Sequence, residues 1–145
     1  MTGVIPRGSA LDSLTAGLLF SEFANALDTK NWQAYAELFV PDGLLHLPGA
    51  DPVQKNELAS VCQAVLGGFS DTHHMITNVI STPGSMVNHV TANLRATHFY
   101  PDSDREPWIV IGRYIAKTLP QGDAVLFQSV ELVMVWQTGE APTGM

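Results

Sequence analysis

The sequence predicts an α+β fold, one domain in which three N-terminal helices pack on a strongly curved, mainly antiparallel sheet, a cone-shaped barrel enclosing a small-molecule pocket. Three observations point there. Apolar residues recur at helical spacing as far as Phe69, and from His73 onward they fall into four consecutive strand-like runs joined by short turns. Those runs are long for strands, so the sheet they form must twist and curl. The 145 residues are 46% hydrophobic and only 14% charged, and apolar surface beyond the needs of a core suits a cavity wall or a subunit interface.

The first helix spans Ala10 to Leu27, with Leu11, Leu14, Leu18, Leu19, Phe23, Ala26 and Leu27 forming one broad buried face. Asn31 is placed to cap a second helix through Trp32, Tyr35, Leu38 and Phe39, which Pro41-Asp42-Gly43 ends. The two make a helical hairpin. Leu44 to Leu47 reads as a brief strand before Pro48-Gly49, and Val53 to Phe69 as a third helix stopped at Gly67-Gly68. Four strands follow, His73 to Ile80, Met86 to Tyr100, Trp108 to Thr118 and Ala124 to Thr138, separated by Pro83-Gly84, Pro101-Asp102 and Pro120-Gln121-Gly122. Residues 1–9 and 139–145 read as loose tails.

Charge and cysteine content exclude several classes. The net charge is −7, and the seven Lys and Arg residues are scattered singly, the opposite of a nucleic-acid footprint. Cys62 is alone, which rules out an intrachain disulfide and a paired-thiol zinc or redox motif. No run reaches the length of a membrane span, and Met1 to Ser9 lacks a signal-peptide apolar region. A reducing, cytoplasmic location is expected, with no membrane and no nucleic acid as partner.

Histidines and carboxylates mark the candidate chemistry. Between Met86 and His98 the even positions are mostly apolar and the odd ones polar, so His98 belongs to the buried face and His89 to the exposed one. A histidine so placed is either a satisfied core residue or a proton-transfer group. Asp28 ends the first helix, where the macrodipole disfavours a carboxylate by roughly 0.3–1 kcal/mol. An Asx-type turn with Lys30 or Asn31 is one compensation. His73 and His74 are adjacent in a strand, so only one of them enters the interior, and alternation does not choose which. Trp108 and Tyr114 share strand parity and fit one wall of a pocket. Tyr35, Tyr100, Trp32 and Trp136 read as core or rim aromatics. His46, on a short apolar strand, faces either cavity or surface, and Glu131, in the apolar strand Val125 to Trp136, is either a pocket acid or an outward-facing residue.

Four segments, LDTKNW (27–32), FVPDG (39–43), THHMITN (72–78) and RATHFY (95–100), occur in the order found in nuclear transport factor 2-like folds. Over nearly its whole length the chain resembles the SnoaL-like branch of that group, which includes scytalone dehydratase and hexachlorocyclohexane dehydrochlorinase. The resemblance implies a dyad of Asp28 with His74 and a second histidine, His98, on the next strand. It does not imply the dehydratase's substrate, because that enzyme's two pocket tyrosines and asparagine fall at Leu27, at Leu47 and near Ile111 or Gly112.

The mechanism so implied needs neither cofactor nor metal. Asp28 would accept the Nδ1 proton of His74 and leave Nε2 as a general base for an acidic C–H, while His98, if charged in the complex, would protonate a departing hydroxyl or a carbonyl oxygen, or deliver a proton elsewhere for isomerisation or cyclisation. The expected activity is a dehydratase-type lyase acting on a hydroxylated cyclic or polyketide-like molecule, with Leu27, His46, Leu47, Trp108 and Tyr114 contacting the substrate. An isomerase or cyclase is the alternative within the same chemistry. A non-catalytic binding or oligomerisation module, or an iron site built from two histidines and a carboxylate, are the alternatives outside it. The apolar strand Ala124 to Trp136 would be costly to leave open, so a homodimer or homotrimer covering the outer sheet face is expected.

Overall fold

A computed structural model describes residues 7–142. Three helices, α1 (Arg7–Asp28), α2 (Trp32–Glu37) and α3 (Lys55–Leu66), combine with six strands. The strands are β1 (Phe39–His46), β2 (Val53–Gln54), β3 (Asp71–Thr82), β4 (Asn88–Phe99), β5 (Trp108–Gln121) and β6 (Ala124–Thr138). They form one sheet in the order β2-β1-β6-β5-β4-β3, antiparallel except for the parallel pair β1 and β6. Helix α1 packs along β3, and α2 against α3. The sheet curls around the helices without closing, as an α+β cone.

The curl has identifiable sources. Register slips between Thr77 and Ile80 in β3, between Ile111 and Gly112 in β5, and again between Lys117 and Thr118 each insert an irregularity that bends a strand. A larger slip lies in β1, where Phe39 pairs with Phe127 but Leu44 already pairs with Ser129. Pro41-Asp42-Gly43 sits in that bulge, where a proline without an N–H costs no ladder bond. The strand therefore starts at Phe39 and runs through the segment expected to end a helix and open a turn. Similarly, β5 continues through Pro120 to Gln121, and the turn is Gly122-Asp123, with Gly122 at φ +62°.

Helix α1 turns a different face inward from the one its leucines suggest. Leu11, Leu14 and Leu18 are 66%, 62% and 61% exposed, while Ala16, Leu19, Phe20, Phe23, Ala26 and Leu27 are buried. Two apolar stripes compete on this helix, and the one carrying Phe20 and Phe23 goes inward because it buries more area. Phe20 stacks on Tyr114 at 5.5 Å, and Phe23 meets Tyr35 edge-on at 4.8 Å. With Phe39 and Phe127 these rings form the wide base of the core. The helix also starts at Arg7, inside the expected loose tail. At the other end Glu140 is held by the Tyr100 hydroxyl and the Arg105 guanidinium.

The end of α1 fixes the position of Asp28. The Asn31 amide bonds to the Ala26 carbonyl at 2.8 Å and the Lys30 amide to Leu27 at 3.1 Å, the paired bonds of a Schellman C-cap. Lys30 occupies its left-handed position at φ +57°, and its Nζ reaches the Phe69 carbonyl at 2.6 Å, tying the loop to the end of α3. Asn31 then caps α2 as expected, its Oδ1 accepting from the Ala34 amide at 3.1 Å. Among the described residues no helix is long and apolar enough to cross a membrane.

Candidate active site

Asp28 reaches the sheet because the C-cap ends α1 against β3. Its Oδ1 accepts from Thr72 Oγ1 at 2.9 Å and lies 2.6 Å from His74 Nδ1, and its Oδ2 accepts from the His74 amide at 3.1 Å. These bonds answer the unfavourable helix dipole, and the Asx-type turn with Lys30 or Asn31 does not form. Burial alone would raise the Asp28 carboxyl. The hydrogen bonds from the His74 ring and amide, the His74 charge and the Thr72 hydroxyl outweigh it and hold the group below its ordinary value. Asp28 is thus an ionised acceptor, which assigns the proton between it and His74 to Nδ1, and among the described residues Nε2 has no protein partner.

Strand alternation on β3 places Thr72 and His74 on the inner face and His73 outside. The His74 side chain is 5% exposed. His98, opposite Thr72 in the β3–β4 register, is buried, and its Nδ1 donates to the Trp108 carbonyl at 2.9 Å. Its ring stacks on Trp108 at 4.5 Å and meets His74 nearly edge-on at 5.8 Å between centroids. Burial, with the His74 charge adding to it, outweighs the Trp108 carbonyl and the Asp28 charge and lowers its pKa to about 4. His98 is therefore neutral at physiological pH and offers an unprotonated Nε2.

Both histidines line a cavity of about 260 Å³ between the helices and the inner face of the sheet. Leu27, Leu47, Trp108 and Tyr114 line it as the sequence suggested. His46 does not. It pairs with Glu131 in the β1–β6 register, and alternation from the buried Leu45 turns it to the outer face, where Glu131 also lies exposed. Trp136 is likewise 54% exposed, because the slip at Ile111 and Gly112 sets it opposite Ile111 on the outer face. Trp32 ties α2 to α3 through Gln63 Oε1 at 2.7 Å, and Tyr100 lies at the rim beneath Arg105.

Three contributors are not apparent from the sequence patterns used above. Thr72 stands two residues before His74, so alternation alone would have put it on the Asp28 side. Tyr35 lines the cavity although it sits on a helix and reads as core. The Trp108 carbonyl leaves no trace in side-chain patterns. Cys62 also lines the cavity, but burial pushes its thiol up to about 12, so it stays protonated and unreactive. Among the described residues no group of three or more His, Cys, Asp or Glu is arranged to hold a metal ion. Both carboxylate oxygens of Asp28 are engaged with Thr72 and His74, which counts against the two-histidine, one-carboxylate iron site.

A family model for the SnoaL-like domain matches residues 11–126. The chain belongs to the SnoaL-like domain family. Its fold is also found in several solved structures. A candidate scytalone dehydratase from Novosphingobium aromaticivorans DSM 12444 superposes with a TM-score of 0.81 at 18% identity, over 94% of this chain and 95% of that one. Protein Kfla4162 from Kribbella flavida gives 0.80 at 24% identity, over 89% and 94%. The type 3 hexachlorocyclohexane dehydrochlorinase LinA from Novosphingobium barchaimii LL02 gives 0.78 at 14% identity, over 97% of each. A search of curated proteins finds no match. At these identities the shared property is the NTF2-like cone.

Proposed function

We propose that this SnoaL-like protein is a cofactor-independent lyase of dehydratase type, acting on a hydroxylated cyclic or polyketide-like molecule, with Asp28 and His74 as its acid–base dyad. The observation that carries the reading is the 2.6 Å contact between Asp28 Oδ1 and His74 Nδ1, in a ring whose other nitrogen is free beside a cavity. The dehydratase and dehydrochlorinase among its structural neighbours support the same class of elimination chemistry.

The step balances on one histidine. His74 Nε2 takes a proton from the carbon next to a carbonyl, and the electron pair moves through the enolate to expel the neighbouring hydroxyl. The departing oxygen takes the proton back from the His74 imidazolium and leaves as water. Asp28 steadies the imidazolium between the two transfers. His98, neutral with its Nδ1 spent on Trp108, contributes a hydrogen-bond acceptor that holds a substrate hydroxyl. That neutrality also favours a second reading. An isomerase or cyclase begins with the same proton abstraction and needs no acid for a leaving group.

The test is turnover of 3-hydroxy-1-tetralone, whose loss of water gives 1-naphthol with a large absorbance change. Wild type is expected to form the naphthol, and Asp28→Asn and His74→Asn to lose roughly 10²–10⁴-fold in rate while remaining folded. Equal rates in all three proteins would remove the dyad from the mechanism. The outer sheet face exposes Met75, Ile115, Val133, Val135 and Trp136, and we assign it to contact with a second copy of the chain in a homodimer or homotrimer.

A further inference from the structure

The cavity holds two tyrosine hydroxyls that the dyad chemistry does not use. Tyr35 enters from α2 and Tyr114 from β5, and both line the cavity. Their rings are fixed by packing, Tyr35 against Phe23 and Phe39, Tyr114 against Phe20 and Phe23. Among the described residues neither hydroxyl makes a hydrogen bond to a protein group. Nor is either sealed off, since the polar side-chain atom buried without a partner is Ser81 Oγ. Buried phenols almost always find a partner, so a pair left free at a cavity wall points to a ligand atom. Burial raises both phenols above their ordinary value, which keeps them protonated donors.

Their position complements the histidines. Tyr114 stands six residues along β5 from Trp108, and both tyrosines line the same cavity as His74 and His98. The free Nε2 of His98 is an acceptor, and the free tyrosine hydroxyls can donate. Most of the wall between is apolar, including Leu94, Val110, Leu132 and Met134. A ligand satisfying all these groups has an apolar ring body, an acidic C–H or hydroxyl for the histidines and an oxygen acceptor for the tyrosines.

We infer that Tyr35 and Tyr114 form an oxygen-binding subsite that anchors a carbonyl or ring oxygen of the substrate in the cavity they share with the histidines. The inference rests on the cavity being the substrate site proposed above, and it selects oxygenated cyclic compounds over hydrocarbons or halocarbons of the same shape. The pair is a specificity device and takes no proton.

The probe is 1-tetralone, compared with tetralin, which has the same ring body without the oxygen. Wild type is expected to bind the ketone roughly tenfold more tightly, in line with one or two net hydrogen bonds, and to shift the infrared carbonyl band of the bound ketone to lower frequency. Tyr35→Phe and Tyr114→Phe keep the ring packing, and each should weaken ketone binding while leaving tetralin binding in place. The double variant should abolish both the preference and the shift. An unshifted carbonyl band in saturated wild type, no preference for the ketone, or a preference that survives the double variant overturns the subsite. None of these readouts requires turnover. A protein that shows the tyrosine-dependent preference but no dehydration defeats the lyase reading alone. If Asp28→Asn, rather than the tyrosine variants, removes the preference, the oxygen binds at the dyad and the subsite is wrong.

Discussion

At the scale of single residues, the site is organised by where two imidazole protons are committed. His74 donates its Nδ1 proton to a carboxylate and His98 donates its own to a backbone carbonyl, the two rings lying 5.8 Å apart between centroids. For His98 the consequence is measurable as stability. Its folded pKa, about 4, lies below the unfolded value of 6.5, so the unfolded chain binds a proton between those limits and the native one does not. Stability must fall as the pH drops from 6.5 to 4 and the contribution must level off below that, by on the order of 3 kcal/mol in all. Denaturant titrations at several pH values should give a flatter profile for His98→Gln across this window. An unchanged slope would mean that His98 is cationic in the folded protein and could serve as an acid after all. Asp28, held below its ordinary value, adds its own loss only at lower pH, as the carboxylate is protonated.

At the scale of elements, the positions of these residues depend on chain reversals more than on the regular segments. The C-cap of α1 aims Asp28 at β3, and Lys30 holds that cap in a left-handed conformation usually taken by glycine. Lys30→Ala removes its bonds to the Gly67 and Phe69 carbonyls and keeps the backbone strain, so it should lower the melting temperature, by about 1 kcal/mol of stability. Lys30→Gly relieves the strain and should recover part of the loss. A glycine variant less stable than the alanine one would show that no such strain is present. Element types were legible in the sequence because periodicity reports burial on one face, and the inner position of His98 followed from alternation alone. Bulges were not legible. Pro41-Asp42-Gly43 carries the composition of a turn whether it ends a helix or loops out of a strand, and only pairing with β6 decides between them. The slip at Gly112, which sends Trp136 outward, is equally silent, as it depends on close approach to the Val133 carbonyl.

At the scale of the whole molecule, one packing decision separates cavity from core. The aromatic stripe of α1 fills the base of the cone, and the cavity persists where smaller side chains such as Ala96 face the histidines. The sequence contained both leucine and phenylalanine stripes on α1, and its spacing could not rank them, which is why Leu11, Leu14 and Leu18 were expected inside. Their exposure, with that of the outer sheet face, leaves more apolar surface than a lone small domain carries comfortably. The proposed self-association through the sheet predicts that Ile115→Lys with Val133→Glu lowers the sedimentation coefficient to that of a monomer and leaves the far-ultraviolet spectrum unchanged. A wild-type chain already monomeric at micromolar concentration would dismiss the interface.

The central claim is that Asp28 and His74 act together as a base facing the cavity, and proton exchange at carbon tests it whatever the later fate of the enolate. With 1-tetralone in heavy water, deuterium should enter the position next to the carbonyl faster with wild-type protein than in buffer, and the enhancement should disappear in both Asp28→Asn and His74→Asn. Exchange no faster than buffer in wild type, or equally fast in the two variants, would contradict the account.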